Sequence, residues 1–247
     1  MSRKPVSIAL SLLAALGAAM ANRCGATSSM HALAAGDGYV PVAPLESLVR
    51  SIRLNLKVAG DWLNEGDFES AADTIERTKL LIDFCDLRSS EESWQRRIGE
   101  LRSQCQQLVD ESKKKDADAS STRLKEIAKT LDAVASTPPP VDARSVAEYE
   151  PKVPVRSFMK LLDSCYADAK SAKSIADLQA MVYAIAETTN AAQFLRTDDI
   201  WRERAGDVRQ AALRVAALKP DTDLKVARAE LKNVYERCQA CHKTFRK

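Results

Sequence analysis

Apolar residues recur at three- and four-residue intervals along nearly the whole chain after Pro44. That period commits the sequence to amphipathic helices. Leu45, Leu48, Val49, Ile52, Leu56, Ala59 and Leu63 mark the first. Gly66 and Asp67 break it, and Asp67 is placed to cap a second helix carrying Ala71, Ile75, Thr78, Ile82 and Cys85. Ser89 and Ser90 before Glu91 signal a third start, with Trp94, Ile98, Leu101, Cys105 and Leu108 on its inner face. The charged run Lys113 to Ser121 reads as a loop, and Leu124, Ile127, Leu131 and Val134 mark a fourth helix. Only 8 Gly and 9 Pro interrupt 247 residues, which argues for an all-helical chain.

The pattern then starts again. Thr137 to Pro154 contains Thr-Pro-Pro-Pro and Pro-Lys-Val-Pro, the composition of a linker. Beyond it, Val155, Phe158, Met159, Leu162, Cys165, Tyr166 and Ala169 mark a fifth helix, and Ile175, Leu178, Val182, Ile185 and Ala192 a sixth. Ile200, Trp201, Ala205, Val208, Ala212 and Val215 mark a seventh. Pro220 and Asp221 end it, Asp223 is placed to cap an eighth, and Leu224, Ala227, Leu231, Val234 and Cys238 run down that last helix. The halves repeat: Val49-Arg50-Ser51-Ile52 returns as Val155-Arg156-Ser157-Phe158, and Leu124, Leu131 and Val134 match Leu224, Leu231 and Val234 at one constant offset. The expected fold class is all-α, as two tandem antiparallel four-helix bundles over 44–137 and 154–247 joined by a linker over 138–153.

The N-terminus reads as an export signal. Arg3 and Lys4 precede the apolar run Val6 to Met20, and Ala19-Met20-Ala21 is a small-x-small site, which places a signal peptide at 1–21. Residues 22–43, rich in Ala, Gly and Ser, read as a flexible leader containing His31 and Cys24. The formal charge of +3 falls to +1 once Arg3 and Lys4 are removed, so nothing in the balance points to nucleic acid. The apolar run is short for a membrane span.

The chemistry concentrates near the C-terminus, where Cys238, Gln239, Ala240, Cys241 and His242 form a Cys-x-x-Cys-His motif. This is the pattern of covalent c-type haem attachment: two thiols add across the vinyl groups of one haem, and the adjacent imidazole reaches the iron. On a helix, Cys238, Cys241, His242 and Phe245 share one face. The expected cofactor is one covalent haem c held by Cys238 and Cys241, with His242 as iron ligand. In bacteria such haem is attached outside the cytoplasmic membrane, which agrees with an exported, periplasmic protein. The repeat sets Pro138 to Asp142 opposite this motif, so the first bundle is expected to carry no haem.

Of the other cysteines, Cys85 and Cys105 lie at very different distances from their shared turn. In a simple hairpin their heights differ by about 15 Å, too far for a disulfide. Cys85, Cys105 and Cys165 are therefore expected to be buried apolar residues. A zinc half-site lacks further ligands, and a redox dithiol lacks the βαβ context. No phosphate loop or nucleophile–His pair points to an enzyme.

From about Pro154 to Lys247 the chain resembles the cytochrome c-prime family. The resemblance rests on CQACHKTFR at the end of the last helix, Ile200-Trp201 opening the third helix of the bundle, and Arg156-Ser157-Phe158-Met159 early in its first. It implies a left-handed bundle with haem between the helices, His242 as proximal ligand and Arg246 beside the proximal face. Family members either leave the iron five-coordinate or close it with a Met from the first helix, and alignment puts Met159 there. A thioether would give six-coordinate, low-spin iron suited to electron transfer with redox partner proteins; Met181 is a competing thioether. The alternative is an open site that binds or senses a small gas such as nitric oxide. The fused first bundle departs from the family; it is a candidate to fill the face that family members use for dimerisation, which leaves monomer and homodimer both open.

Overall fold

The computed structural model describes residues 38–139 and 149–245. The signal peptide read at 1–21, most of the leader with Cys24 and His31, and Arg246 lie outside the described residues. Among the described residues eight α-helices follow one another: α1 (Leu45–Asn64), α2 (Phe68–Asp86), α3 (Glu92–Lys113), α4 (Ala117–Ser136), α5 (Val155–Ser171), α6 (Ile175–Ala192), α7 (Asp199–Ala216) and α8 (Leu224–Phe245), with a 3-10 turn over Gln193–Leu195. Their packing is that of two antiparallel four-helix bundles, α1–α4 and α5–α8.

Local chemistry sets most of the boundaries. Asp67 accepts from the Ser70 amide at 3.0 Å, and Gly66 takes the left-handed backbone (φ 77°) that lets the chain reverse before it. Asp198 accepts from Trp201 N at 2.8 Å, and Asp223 from Lys225 N at 2.8 Å. The third start differs from the expected side-chain cap. Glu91 occupies the cap position without a side-chain bond to the helix amides, its carboxylate accepting from the Ser93 hydroxyl, and Ser89 Oγ accepts from Glu91 N at 3.1 Å. The loop expected over Lys113 to Ser121 shrinks to three residues: Asp116 caps α4 by accepting from Ala119 N at 3.0 Å, so the polar run after it is helix. Hydropathy alone misses this because that turn is polar on nearly every side.

The two bundles also share a device that the repeat only hinted at. Trp94 Nε1 donates to the Cys85 carbonyl at 3.0 Å, and Trp201 Nε1 to the Ala192 carbonyl at 2.7 Å, each nine residues upstream. Each indole ties the start of its third helix to the end of its second. The difference lies in the fourth helices. Ser136, where α4 ends before Pro138 and Pro139, matches Glu236, and α8 continues from there to Phe245. Proline cannot extend a helix, so the first bundle lacks the segment on which the motif stands.

The bundles pack through α1 and α2 on one side and α5 and α6 on the other. The pairing is reciprocal: α1 meets α6, and its repeat α5 meets α2, as in an isologous dimer. Arg50 pairs with Asp177 at 2.8 Å, Ser51 Oγ donates to the Ala180 carbonyl at 2.8 Å, Lys160 pairs with Asp73 at 2.9 Å, and Phe84 meets Phe158 with ring centroids 6.4 Å apart. Helix α6 is therefore enclosed on all sides, with Ala184 to Ala192 buried without a break. A helix apolar all round is buried all round. Periodicity picked out only the face toward its own bundle.

One charge sits in that enclosed stretch. Glu187 is wholly buried, and its Oε2 accepts from Val42 N at 3.0 Å, Ala43 N at 2.7 Å and Arg88 Nη2 at 3.3 Å, while Oε1 accepts from the Tyr39 hydroxyl. Asn190, one turn on, donates to the Val40 carbonyl at 2.8 Å and accepts from Arg209 at 2.7 Å. Residues 38–43, assigned from composition to a flexible leader, are thus a strap locked onto α6, with Tyr39 fully buried. Removing one member of such a buried charged network costs several kcal/mol, because its partners stay buried without it. Glu187→Ala is expected to lower unfolding free energy by about 3 kcal/mol in urea titration, and Glu187→Gln, which keeps an acceptor for Val42 and Ala43, by clearly less. Because α1 and α2 already cover α5 and α6, sedimentation of the full chain is expected to give a monomer.

Candidate cofactor site at the end of the last helix

On α8, Cys238, Cys241 and His242 share one face and are all half-buried. They line a single cavity with Met159 and Leu162 of α5, Thr189 and Ala192 of α6, and Trp201, Ala205 and Val208 of α7. All four helices of the second bundle contribute. The one hydroxyl in the lining is already used, since Thr189 Oγ1 donates back to the Ile185 carbonyl at 2.8 Å. The cavity wall is otherwise apolar except for the motif itself.

Met159 thus shares the cavity with His242. Met181 does not; it is buried in the bundle core. Phe158 also points into the core, against Phe84. Arg246 lies outside the described residues. The sequence reading missed Thr189, Ala192 and Ala205 as lining; the small side chains at 192 and 205 were the available signal.

Burial pushes the Cys238 thiol up to about 11, and Cys241 and Asp163 add to the shift. Burial also raises Cys241, with Arg204 pulling the other way. Both sulfurs are therefore thiols near neutral pH, the form whose S–H adds across a vinyl group. Arg204 carries a buried Nε that has no hydrogen-bond partner.

The donor set fits a covalent haem in kind and order: two thiols and an imidazole on one helix face, a thioether on another helix, and an apolar surround. The space is small. The cavity measures about 40 Å³, whereas a small-molecule site needs roughly 300 Å³ or more. Of the four helices around the cavity, α8 is the least buried at this end. Ala227, Leu231 and Val234 are its only buried residues, so nothing past Val234 is fully buried. Helix α8 packs chiefly on α7 and only sparsely on α5. Tyr166 and Tyr235, stacked at 5.5 Å, bridge that looser side.

At the foot of the cavity, Trp201 meets Phe245 edge-on with centroids 5.2 Å apart, and the Arg196 guanidinium lies over both rings. Sequence reasoning gave Arg196 no role, because nothing in its local pattern separates it from a solvated charge.

Among the described residues, no group of three His, Cys, Asp or Glu side chains is arranged to hold a metal ion. No described helix is long and apolar enough to cross a membrane. No protein-family model, no curated protein and no solved structure matches the chain.

Cys85, Cys105 and Cys165 are buried and unbridged, each pushed up to about 12 by burial. Native alkylation at pH 8 followed by peptide mass spectrometry is expected to spare these three and to label Cys238 and Cys241 only in protein that has acquired no thioether bonds. After denaturation the three core thiols should label fully.

Proposed function

We propose that this chain is an exported electron-transfer protein carrying one covalent haem c in its second bundle. The observation that carries the proposal is the convergence of Cys238, Cys241, His242 and Met159 on one apolar cavity between four helices. Attachment would join each sulfur to a vinyl carbon, with the thiol hydrogen passing to the neighbouring carbon. His242 would hold the iron from α8 and Met159 from α5. The haem iron would supply one-electron chemistry.

The protein's own residues account for the rest. The apolar wall from Leu162, Ala192, Ala205 and Val208 excludes water, which disfavours the more highly charged oxidation state of a buried centre. Trp201, fixed by its bond to the Ala192 carbonyl, holds the cavity floor. The first bundle lacks the motif segment and supports α6 from behind, which gives it a structural part in the reading. Export is supported by the apolar run Val6 to Met20 behind Arg3 and Lys4, and by the attachment of c-type haem outside the cytoplasmic membrane in bacteria.

The optical spectrum of the reduced protein tests the ligand set. Six-coordinate, low-spin bands are expected for the wild type, with conversion to a high-spin spectrum in Met159→Ala. A high-spin wild type would remove Met159 from the iron and favour binding of a small gas such as nitric oxide at an open site. His242→Ala is expected to abolish the low-spin spectrum even where both thioethers form.

A further inference from the structure

The last turn of α8 has no fully buried residue, yet it remains helical to Phe245 and packed at the cavity. Something other than core burial must hold it. The Arg196 guanidinium carbon lies 5.4 Å from the centroid of the Trp201 ring and 5.0 Å from that of Phe245. Such distances over aromatic rings are attractive, because a cation sits in the negative field of the ring face. Arg196 is itself aimed: its Nε pairs with Asp198 at 2.9 Å, and the same Asp198 caps α7 by accepting from Trp201 N at 2.8 Å. Trp201 is fixed in turn by its bond to the Ala192 carbonyl at 2.7 Å. Phe245 lies three residues beyond His242, on the same helix face. In the first bundle Trp94 is met instead by Arg97 of its own helix, at 5.8 Å, and α4 ends too early to supply a partner ring.

We propose that Arg196 is a positioning residue: lying over Trp201 and Phe245, it latches the Cys238–Phe245 turn to the corner between α6 and α7. The latch sets where the His242 ring stands relative to Met159, and it releases when α8 swings out to enlarge the cavity. Its effect on an iron centre rests on the haem reading; the latch itself does not. Arginine suits the task better than lysine because its planar fork can lie on a ring and bond Asp198 together.

Amide hydrogen exchange on the full chain tests it. In Arg196→Gln, the amides of residues 241–245 are expected to exchange about tenfold faster, while those of α1–α4 and residues 224–234 of α8 stay unchanged. Phe245→Ala should give the same local loss, the double variant no further loss, and Arg196→Lys a partial recovery. In haem-loaded protein, Arg196→Gln should keep both thioethers yet shift the visible bands and the midpoint potential. Wild-type exchange in Arg196→Gln, or additive losses in the double variant, would overturn the latch. A wild type without covalent haem would overturn the haem reading alone, because the exchange comparison still decides the latch in the haem-free chain.

Discussion

A single buried carboxylate organises this molecule. Glu187 stands in the middle of a helix enclosed by both bundles, and it gathers donors from a strap at 38–43 and from Arg88 at the end of α2. Burying a charge is costly, and here four donors offset that cost. Burial raises its carboxyl above the usual range, while Arg88 and the strap's donors pull it back. The consequence is geometric. The strap, the first bundle and α6 are fixed to one another, so the wall of the cavity formed by Thr189 and Ala192 is backed by a rigid surface.

The corner after α6 extends that linkage. Phe194 packs edge-on to Tyr149 at 5.5 Å and against Tyr39 at 6.3 Å, so the strap, the residues leading into α5 and the 3-10 turn meet in one aromatic cluster. Two residues later Arg196 reaches the other way, to Trp201 and Phe245. The segment between α6 and α7 is therefore held on one side by the core and holds on its other side the end of α8. Three walls of the cavity are firmly packed, and the fourth is α8.

Much of this was legible in the sequence. Eight periodic runs gave eight helices, and the return of Val49–Ile52 as Val155–Phe158 and the offset of Leu124, Leu131 and Val134 gave the two bundles. Cys238, Cys241 and His242 were legible because spacing alone puts them on one face, and Met159 came from the resemblance. What escaped has one physical cause: periodicity describes a helix against a single partner. It could not reveal that α6 has two, so Ala184, Ala186 and Glu187 passed unread. Nor could composition show that residues 38–43 find donors and acceptors on a helix far along the chain. Arg196 escaped for the same reason, since its partners are brought to it by the fold. The size of the cavity is likewise a property of packing, which no motif encodes.

Covalent haem at the end of α8 is the central proposal. The full-length gene expressed in a bacterium that matures c-type cytochromes, followed by alkaline pyridine haemochrome on the denatured protein, measures it directly. The predicted result is one haem per chain with the bands of two saturated vinyl groups, lost in the Cys238→Ala, Cys241→Ala variant. A haem-free protein whose Cys238 and Cys241 both remain available to alkylation would contradict it.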